Sequence, residues 1–461
     1  MHLCAAEVLS TRSPITRKDI DRLAVPAIIS GIAEPLISLV DTACVGALRD
    51  TDMLGAVGIG SSFFLLVLWV LAQTRSAVLA VVARYYGQQR LDAVAGLVPI
   101  AMWTNFGLGV LFLGITYPFA EHIFEAYNAS GRQLELTCDY FRIRCFGFPI
   151  SLAVYALTGA FRGLQNLKWS MYISLIGASV NLVLNPLLIF GYGPFPAMGI
   201  EGSALSSLIA QACMLVACAV VVRTRTTFTL WPSSWRHPEF VPLMRNSGQL
   251  FARTIALNVC YYLGNRYATG YGQAYIAAHS IAMQIWLFSA FFIDGYAAAG
   301  SVLVGRLVGE RNWHDLYNVS WQVVRMSVTI GAVLSVIYLI AYAHIGSLFT
   351  KDAAVLSLLG GVFWMVVVTQ PINAVAFAFD GIYKGLGGGK ILRNVLLIST
   401  FLAFVPVAWG MDALGWKLHA IWTAFLLWMF VRGLLLALHF EKNHRPHEAA
   451  HSALPSGTWN A

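Results

Sequence analysis

The sequence predicts an all-α polytopic membrane protein, with twelve transmembrane helices in two six-helix lobes related as parallel repeats. Three observations lead there. Of 461 residues, 58% are hydrophobic and only 11% charged, against about 25% charged in soluble domains. The apolar residues come in runs of roughly 20 or more, the length that crosses a hydrocarbon core about 30 Å thick. A β-barrel would show short alternating segments instead. Finally, three motifs recur at one offset of 222 residues.

Taken in order, residues 1–22 are polar and carry Arg12, Arg17, Lys18 and Arg22 without a signal-peptide apolar region, so the first span is expected to remain in the membrane. Spans follow near 24–47, 54–84, 93–118, 134–160, 169–191 and 199–222. A second set lies near 246–270, 275–305, 317–345, 354–383, 391–411 and 417–440. The organisation read from these is an N-terminal segment 1–22, a first lobe 23–222, a linker 223–245, a second lobe 246–440 and a tail 441–461 expected to be disordered. Pro232, Pro238 and Pro242 break the linker. With the N-terminus placed in the cytoplasm, the inner segments hold 20 Lys and Arg and the outer loops four: Arg49, Arg132, Lys351 and Lys417. That asymmetry puts both termini inside a cell inner (plasma) membrane. It also accounts for the net charge of +8 without nucleic acid.

The repeats are "ARYYGQQ" (83–89) with "GRLVGER" (305–311), "FPIS" (148–151) with "QPIN" (370–373), and "GAFRGLQNLK" (159–168) with "GIYKGLGGGK" (381–390). Six spans per half is an even number, so both halves enter the membrane in the same orientation. Such parallel repeats suit transporters that rock two lobes around a midplane site.

The acids inside the spans are the candidate functional groups. A carboxylate at bilayer depth costs about 2.5–3.5 kcal/mol even on lenient insertion scales. Glu34 and Asp41, in "GIAEPLISLVDTACVG" (31–46), are seven residues apart, on one helical face about 10 Å apart along the axis. Pro35 loosens the helix beside Glu34. Asp41 is read as a carboxylate that loads and releases protons, against the alternative of permanent pairing, for which Arg142 and Arg144 are the rival cations. Glu34 either pairs with Arg75 or carries a proton itself. Asn181 and Asn185 in "NLVLNP" share a face at i, i+4 and need partners in a dry interior, whether Asp41, a substrate or a neighbouring helix. In the second half, Asp294 ("FIDG") and Asp380 ("AFDG") are assigned to a substrate cavity with Gln284 and Asn373. Arg325 is a candidate partner for Asp294, and Lys384 forms an i, i+4 pair with Asp380 in the structural alternative. At the 222 offset, Leu263, Thr158 and Ala72 stand opposite Asp41, Asp380 and Asp294, so the scaffold repeats and the charges do not.

"EPLISLVDTACVG", "IAAHSIAMQIWLFSAFFIDGYAAAGSVLVGRLVGE" (276–310) and "QPINAVAFAFDGIYKGLG" (370–387) resemble the multidrug and toxic compound extrusion (MATE) family, in its DNA-damage-inducible-protein-F-like branch, over roughly residues 20–440. The resemblance implies a V-shaped pair of lobes that exports organic, often cationic, compounds in exchange for protons or sodium. It places the coupling aspartate at Asp41, with Asn181 on helix 5. Ser207 stands where many members have a threonine, and Asn185 where several carry a second aspartate, which leaves the ion and its stoichiometry open.

Other chemistry is discounted. The seven cysteines form no C-x-x-C pair and read as small buried hydrophobes. "HEAAH" (447–451) matches a zinc-protease pattern but lies in a polar tail with no third ligand. "GLGGGK" (385–390) fails the phosphate-loop spacing, and "NAS" (128–130) is an acceptor only in a secretory pathway. The reading is therefore a monomeric secondary antiporter without cofactor or metal, not an enzyme, whose partners are the bilayer, a small organic substrate and a coupling ion. Its rivals are a flippase of lipid-linked precursors, which would need a strongly cationic cavity, and a membrane-embedded enzyme.

Overall fold

In lipid every backbone polar group must be satisfied within the chain, and long helices do so along their whole length. The computed structural model describes residues 15–192 and 195–446, all helices and connections. Among these residues twelve membrane-length units follow one another: α1 (Arg17–Gly46), α2 (Thr51–Gly87), α3 (Leu91–Thr116), α4 (Gly131–Arg144 and Gly147–Gly163), α5 (Leu167–Phe190) and α6 (Gly199–Arg225) form the first lobe. The second comprises α7 (Phe240–Tyr271), α8 (Gln273–Glu310), α9 (Trp313–Ile340), α10 (Ala353–Gly385), α11 (Gly389–Ala413) and α12 (Leu418–His444). Ten are long and apolar enough to cross a membrane, counting α4 as one span bent by 44°. α1 and α7 are equally long and carry charge within the span: Glu34 and Asp41 in α1, Arg245, Arg253 and Arg266 in α7.

Several helices run further than hydropathy alone suggested, the longest extensions at the face that carries both termini. α1 starts at Arg17 rather than 24, α7 at Phe240 rather than 246, and α8 ends at Glu310 rather than 305. Hydropathy marks where lipid begins, whereas a helix continues into water until a cap stops it. Asp50, Asn166, Asn312 and Asp352 cap α2, α5, α9 and α10 by accepting backbone N–H bonds. Asp50 also takes Arg132 Nη2 at 2.7 Å, and that guanidinium holds its carboxyl below the usual range.

The two lobes meet only over part of their length. Two apolar clusters join them: Ile20, Leu23, Ala24 and Ala27 of α1 and Leu79 of α2 pack with Tyr296, Val302, Leu303 and Leu307 of α8, and Leu243 of α7 shares a cluster with Val94, Leu97 and Val98 of α3. All of these lie toward the terminal face. Toward the opposite face each lobe has its own core, around Phe64, Phe124, Phe141 and Phe148 in the first and around Trp286, Phe363, Trp422 and Phe425 in the second. The lobes therefore close at the terminal face and separate beyond it.

The closest approach is between α2 and α8, and it is reciprocal. A Cβ on Gly87 would run into the Arg306 carbonyl, and one on Gly309 into the Arg84 carbonyl. Gly87 and Gly309, like Arg84 and Arg306, are 222 residues apart, so this crossing lies on the pseudo-twofold axis. The same symmetry holds inside the lobes, where Gly159 abuts the Arg75 backbone and Gly381 the Ala297 backbone. Small residues let helix backbones touch where lipid offers no hydrophobic drive for association. Polar contacts reinforce the closed face: Arg84 Nη2 to Glu239 Oε2 at 2.8 Å, Tyr296 Oη to Asp21 Oδ1 at 2.9 Å, and Gln165 Nε2 to the Val302 carbonyl at 2.9 Å.

The six cysteines among the described residues are all free, four of them buried. Cys4 and the HEAAH tail lie outside the described residues. So does the side chain of Glu34, and with it the expected pairing to Arg75; the Arg75 guanidinium lies over the Tyr155 ring at 5.2 Å.

Gly309→Val should force α2 and α8 apart at the terminal face. Spin labels at Gln89 and Arg311 will report it: the short distance of the parent protein should lengthen or broaden by several ångströms. An unchanged distribution would mean that this crossing does not hold the lobes together.

Candidate ion-coupling site

α1, α5 and α6 pack against one another in the first lobe, and each contributes to one buried polar cluster. Asp41 of α1 is only 3% exposed. Asn181 and Asn185, one turn apart on α5, both point at it: Asn185 Nδ2 donates to Asp41 Oδ1 at 2.6 Å and Asn181 Nδ2 to the same oxygen at 3.1 Å. Ser207 of α6 donates to Asp41 Oδ2 at 3.0 Å. The structure thus brings together four of the five residues assigned to ion coupling, and the fifth, Glu34, is not described. Ser206, beside Ser207, accepts from Asn181 Nδ2 at 3.4 Å, and Tyr140 with Ser61 closes the neighbouring wall at 2.9 Å. All donors to Asp41 here are neutral. Arg142 is turned away, against Asp139 at 3.7 Å. Arg144 is within electrostatic range of Asp41 but makes no ion pair with it. The carboxylate is solvated by hydroxyl and amide dipoles, which can also bind its neutral form, because the hydroxyl is free to turn from donor to acceptor.

The second lobe solves the same problem differently. Asp380 of α10 is also 3% exposed. Its Oδ1 takes Arg253 Nη2 of α7 at 2.5 Å and Arg432 Nη2 of α12 at 2.6 Å, and its Oδ2 takes Lys384 Nζ at 2.8 Å. The i, i+4 pair with Lys384 is present, but as one of three cations. Arg432 is almost wholly enclosed and also lies over Phe377. A carboxylate bonded to three cations is locked in its charged form.

Of the four residues assigned to a substrate cavity, Asp294 and Asp380 come within electrostatic range of each other. Gln284 and Asp294 are exposed on α8, whereas Asn373 and Asp380 are buried on α10. Gln284, Phe288, Phe291 and Asp294 follow one helical face, and Phe291 meets Gly31 of α1, so that face looks across the cleft to the first lobe. The repeat places exposed Ser62, Leu66 and Trp69 of α2 at the matching positions. Asp294 lies in electrostatic range of Lys384, Asp380, Arg253 and Arg432. The expected partner, Arg325, instead lines a separate groove with Arg17, Asp21 and Glu441. Arg325 and Asp294 had been matched by depth alone, which does not fix the direction in which a helical side chain points.

The MatE family model matches residues 26–187 and again 250–409, once in each lobe and with ends 222 residues apart. The chain belongs to the MatE family. Its members are transporters, not enzymes. The chain is 26% identical to DNA damage-inducible protein F of Escherichia coli (strain K12), over 95% of this chain and 93% of that one. It is 24% identical to a probable multidrug resistance protein NorM of Agrobacterium fabrum, over 91% and 92%. A solved structure of MATE in the bent conformation superposes with a TM-score of 0.86 at 20% identity, covering 92% of this chain and 94% of that one. The MATE fold of two six-helix lobes read from the sequence is thereby established. Among the described residues no group of three or more His, Cys, Asp or Glu is placed to hold a metal.

Asp380→Asn should strip three buried cations of their counter-charge and cost about 3–5 kcal/mol. Asp41→Asn, with its neutral partners intact, should cost about 1 kcal/mol. Thermal unfolding of the purified variants in one detergent will separate them, and equal losses of Tm would contradict this division.

Proposed function

We propose that this MatE protein is a secondary antiporter that exports small organic compounds, often cationic, in exchange for protons, with Asp41 as the ion-coupling group. The supporting observation is the contrast between the two buried acids. Asp380 is bonded to three cations, and losing its charge would leave them unpaired. Among the described residues Asp41 is bonded to the neutral Asn181, Asn185 and Ser207, so gaining or losing a proton changes the charge of its site without stranding a salt bridge. Asn185 in place of a second acid leaves Asp41 as the one carboxylate of this cluster among the described residues, which favours one proton per cycle. Sodium is the rival ion, and the gradient experiment below separates it from protons.

Protonation changes which partner each Asp41 oxygen prefers, and those partners sit on α5 and α6. Protonation can therefore shift α1 against its own lobe, and α1 is also a helix that seals the terminal face against α8. In this reading the closed face is cytoplasmic, as the Lys and Arg distribution requires, and the cleft opens outward with Asp294, Phe288 and Trp69 along it. The protein would sit as a monomer in the cell inner membrane with both termini inside, and the segment boundaries 1–22, 23–222, 223–245, 246–440 and 441–461 describe its parts. A lipid-linked pyrophosphate is less suited, because Arg253 and Arg432 are already spent on Asp380.

The test is efflux of a fluorescent organic cation from proteoliposomes under imposed proton or sodium gradients. A proton gradient should drive efflux in the parent protein, and Asp41→Asn should lower the driven rate at least tenfold while the protein remains folded. Undiminished efflux in Asp41→Asn, or driving by sodium alone, would overturn the reading.

A further inference from the structure

Arg325 is a cation that neither buried acid uses. It lies well inside α9, twelve residues past Trp313, or about 18 Å along the axis. Its side chain is exposed, and it shares one helical face with Thr329, Val333, Val336 and Ile340, which are exposed as well. An apolar face left open along a membrane span meets lipid. An arginine on such a face needs an anion or a path to the interface. α12 carries a matching stripe, where exposed Phe430, Leu434 and Leu438 lead to Glu441.

The two stripes converge on a groove of about 1000 Å³ lined by α1, α8, α9 and α12. Its cations are Arg17 and Arg325 and its acids Asp21 and Glu441. The acids are already engaged. Tyr296 Oη donates to Asp21 Oδ1 at 2.9 Å, and Tyr317 Oη donates to the Glu441 carboxylate at 2.9 and 3.0 Å, with Arg445 Nε 3.8 Å from Glu441 Oε1. The cations are not. Among the described residues neither the Arg17 nor the Arg325 guanidinium has a hydrogen-bond or ion-pair partner. The groove therefore offers a ligand unspent positive charge at one end and apolar side chains, Met326, Ile330 and Leu438, beside it. At roughly 30 Å³ per water, the space equals about thirty waters, enough for a glycerophosphate headgroup.

We infer that this groove binds a phospholipid, with the phosphate held by Arg325 and Arg17 and the acyl chains along the exposed stripes of α9 and α12. Guanidinium donors match phosphate oxygens in geometry and charge. A soluble anion would use the two arginines and leave the stripes bare, whereas a phospholipid uses both. The lipid comes from the leaflet at the terminal face. It touches both lobes, α1 of the first and α9 and α12 of the second. This goes beyond the antiport reading and stands without it.

Native mass spectrometry of the full-length protein tests the site, titrated with phosphatidylglycerol, phosphatidylethanolamine and the diacylglycerol of the same chains. One equivalent of either phospholipid should bind at least tenfold more tightly than the diacylglycerol. Preference for phosphatidylglycerol means that the cations alone select, and preference for phosphatidylethanolamine means that the second oxygen of Asp21 takes the amine; both support the site. Arg325→Leu, a change on an exposed face, should bring affinity down to that of the diacylglycerol, with Arg325→Lys keeping part of it. Thr329→Trp, which fills the groove and leaves both cations in place, should weaken binding likewise. Three results would overturn the inference. The phospholipids bind no better than the diacylglycerol, or Arg325→Leu binds as the parent does. Arg90→Leu, an exposed arginine outside the groove, weakens binding as much as Arg325→Leu. Inorganic phosphate at equal concentration displaces the lipid, which would make this a site for a free anion.

Discussion

A charge inside hydrocarbon has to be answered by groups the protein itself supplies, and the two lobes answer it in opposite ways. Around Asp380 the answer is other charges, Arg253, Arg432 and Lys384. Around Asp41 it is dipoles, two amides and a hydroxyl. A charged cage is stable only while its carboxylate stays ionised, because a buried pair that loses one member leaves the other uncompensated. A dipolar cage tolerates either state. One backbone scaffold, repeated, thus carries a charge-paired acid in one lobe and a dipole-solvated one in the other, and on the proposed reading the second is the switch.

The shape of the molecule gives that switch something to move. The lobes share a core only near the terminal face, where α1, α2 and α8 meet, and the glycine crossing of Gly87 and Gly309 brings their backbones into contact. Beyond it each lobe holds itself together by its own aromatic cluster. α1 belongs to both systems: its first turns seal the crossing and its later turns carry Asp41. A change of charge at Asp41 is therefore made on the same helix that closes the face.

The repeat was legible in the sequence because close backbone packing demands glycine at fixed places, and those places recur at the same offset in both halves. The Asp41 cluster was legible in part: an acid in an apolar run and two asparagines at i, i+4 each announce an unmet polar need, and the simplest solution is that they meet. What the sequence did not reveal depends on contacts between distant helices. Arg253 and Arg432 reach Asp380 from 127 and 52 residues away, and only Lys384 betrayed itself by spacing. Arg253 does carry a signal, since an arginine in the middle of α7 must find a carboxylate, and Asp380 and Asp294 were the acids on offer. Arg325 misled for the converse reason: equal depth says nothing of which face a side chain occupies.

The central claim is that Asp41 is the acid that changes protonation while Asp380 stays charged. Infrared difference spectroscopy of the protein in membranes, stepped across pH, measures this through the C=O stretch of a protonated carboxylic acid. The account predicts a titrating band that disappears in Asp41→Asn and survives in a folded Asp380→Asn protein. A band that survives in Asp41→Asn and is lost in Asp380→Asn would contradict it.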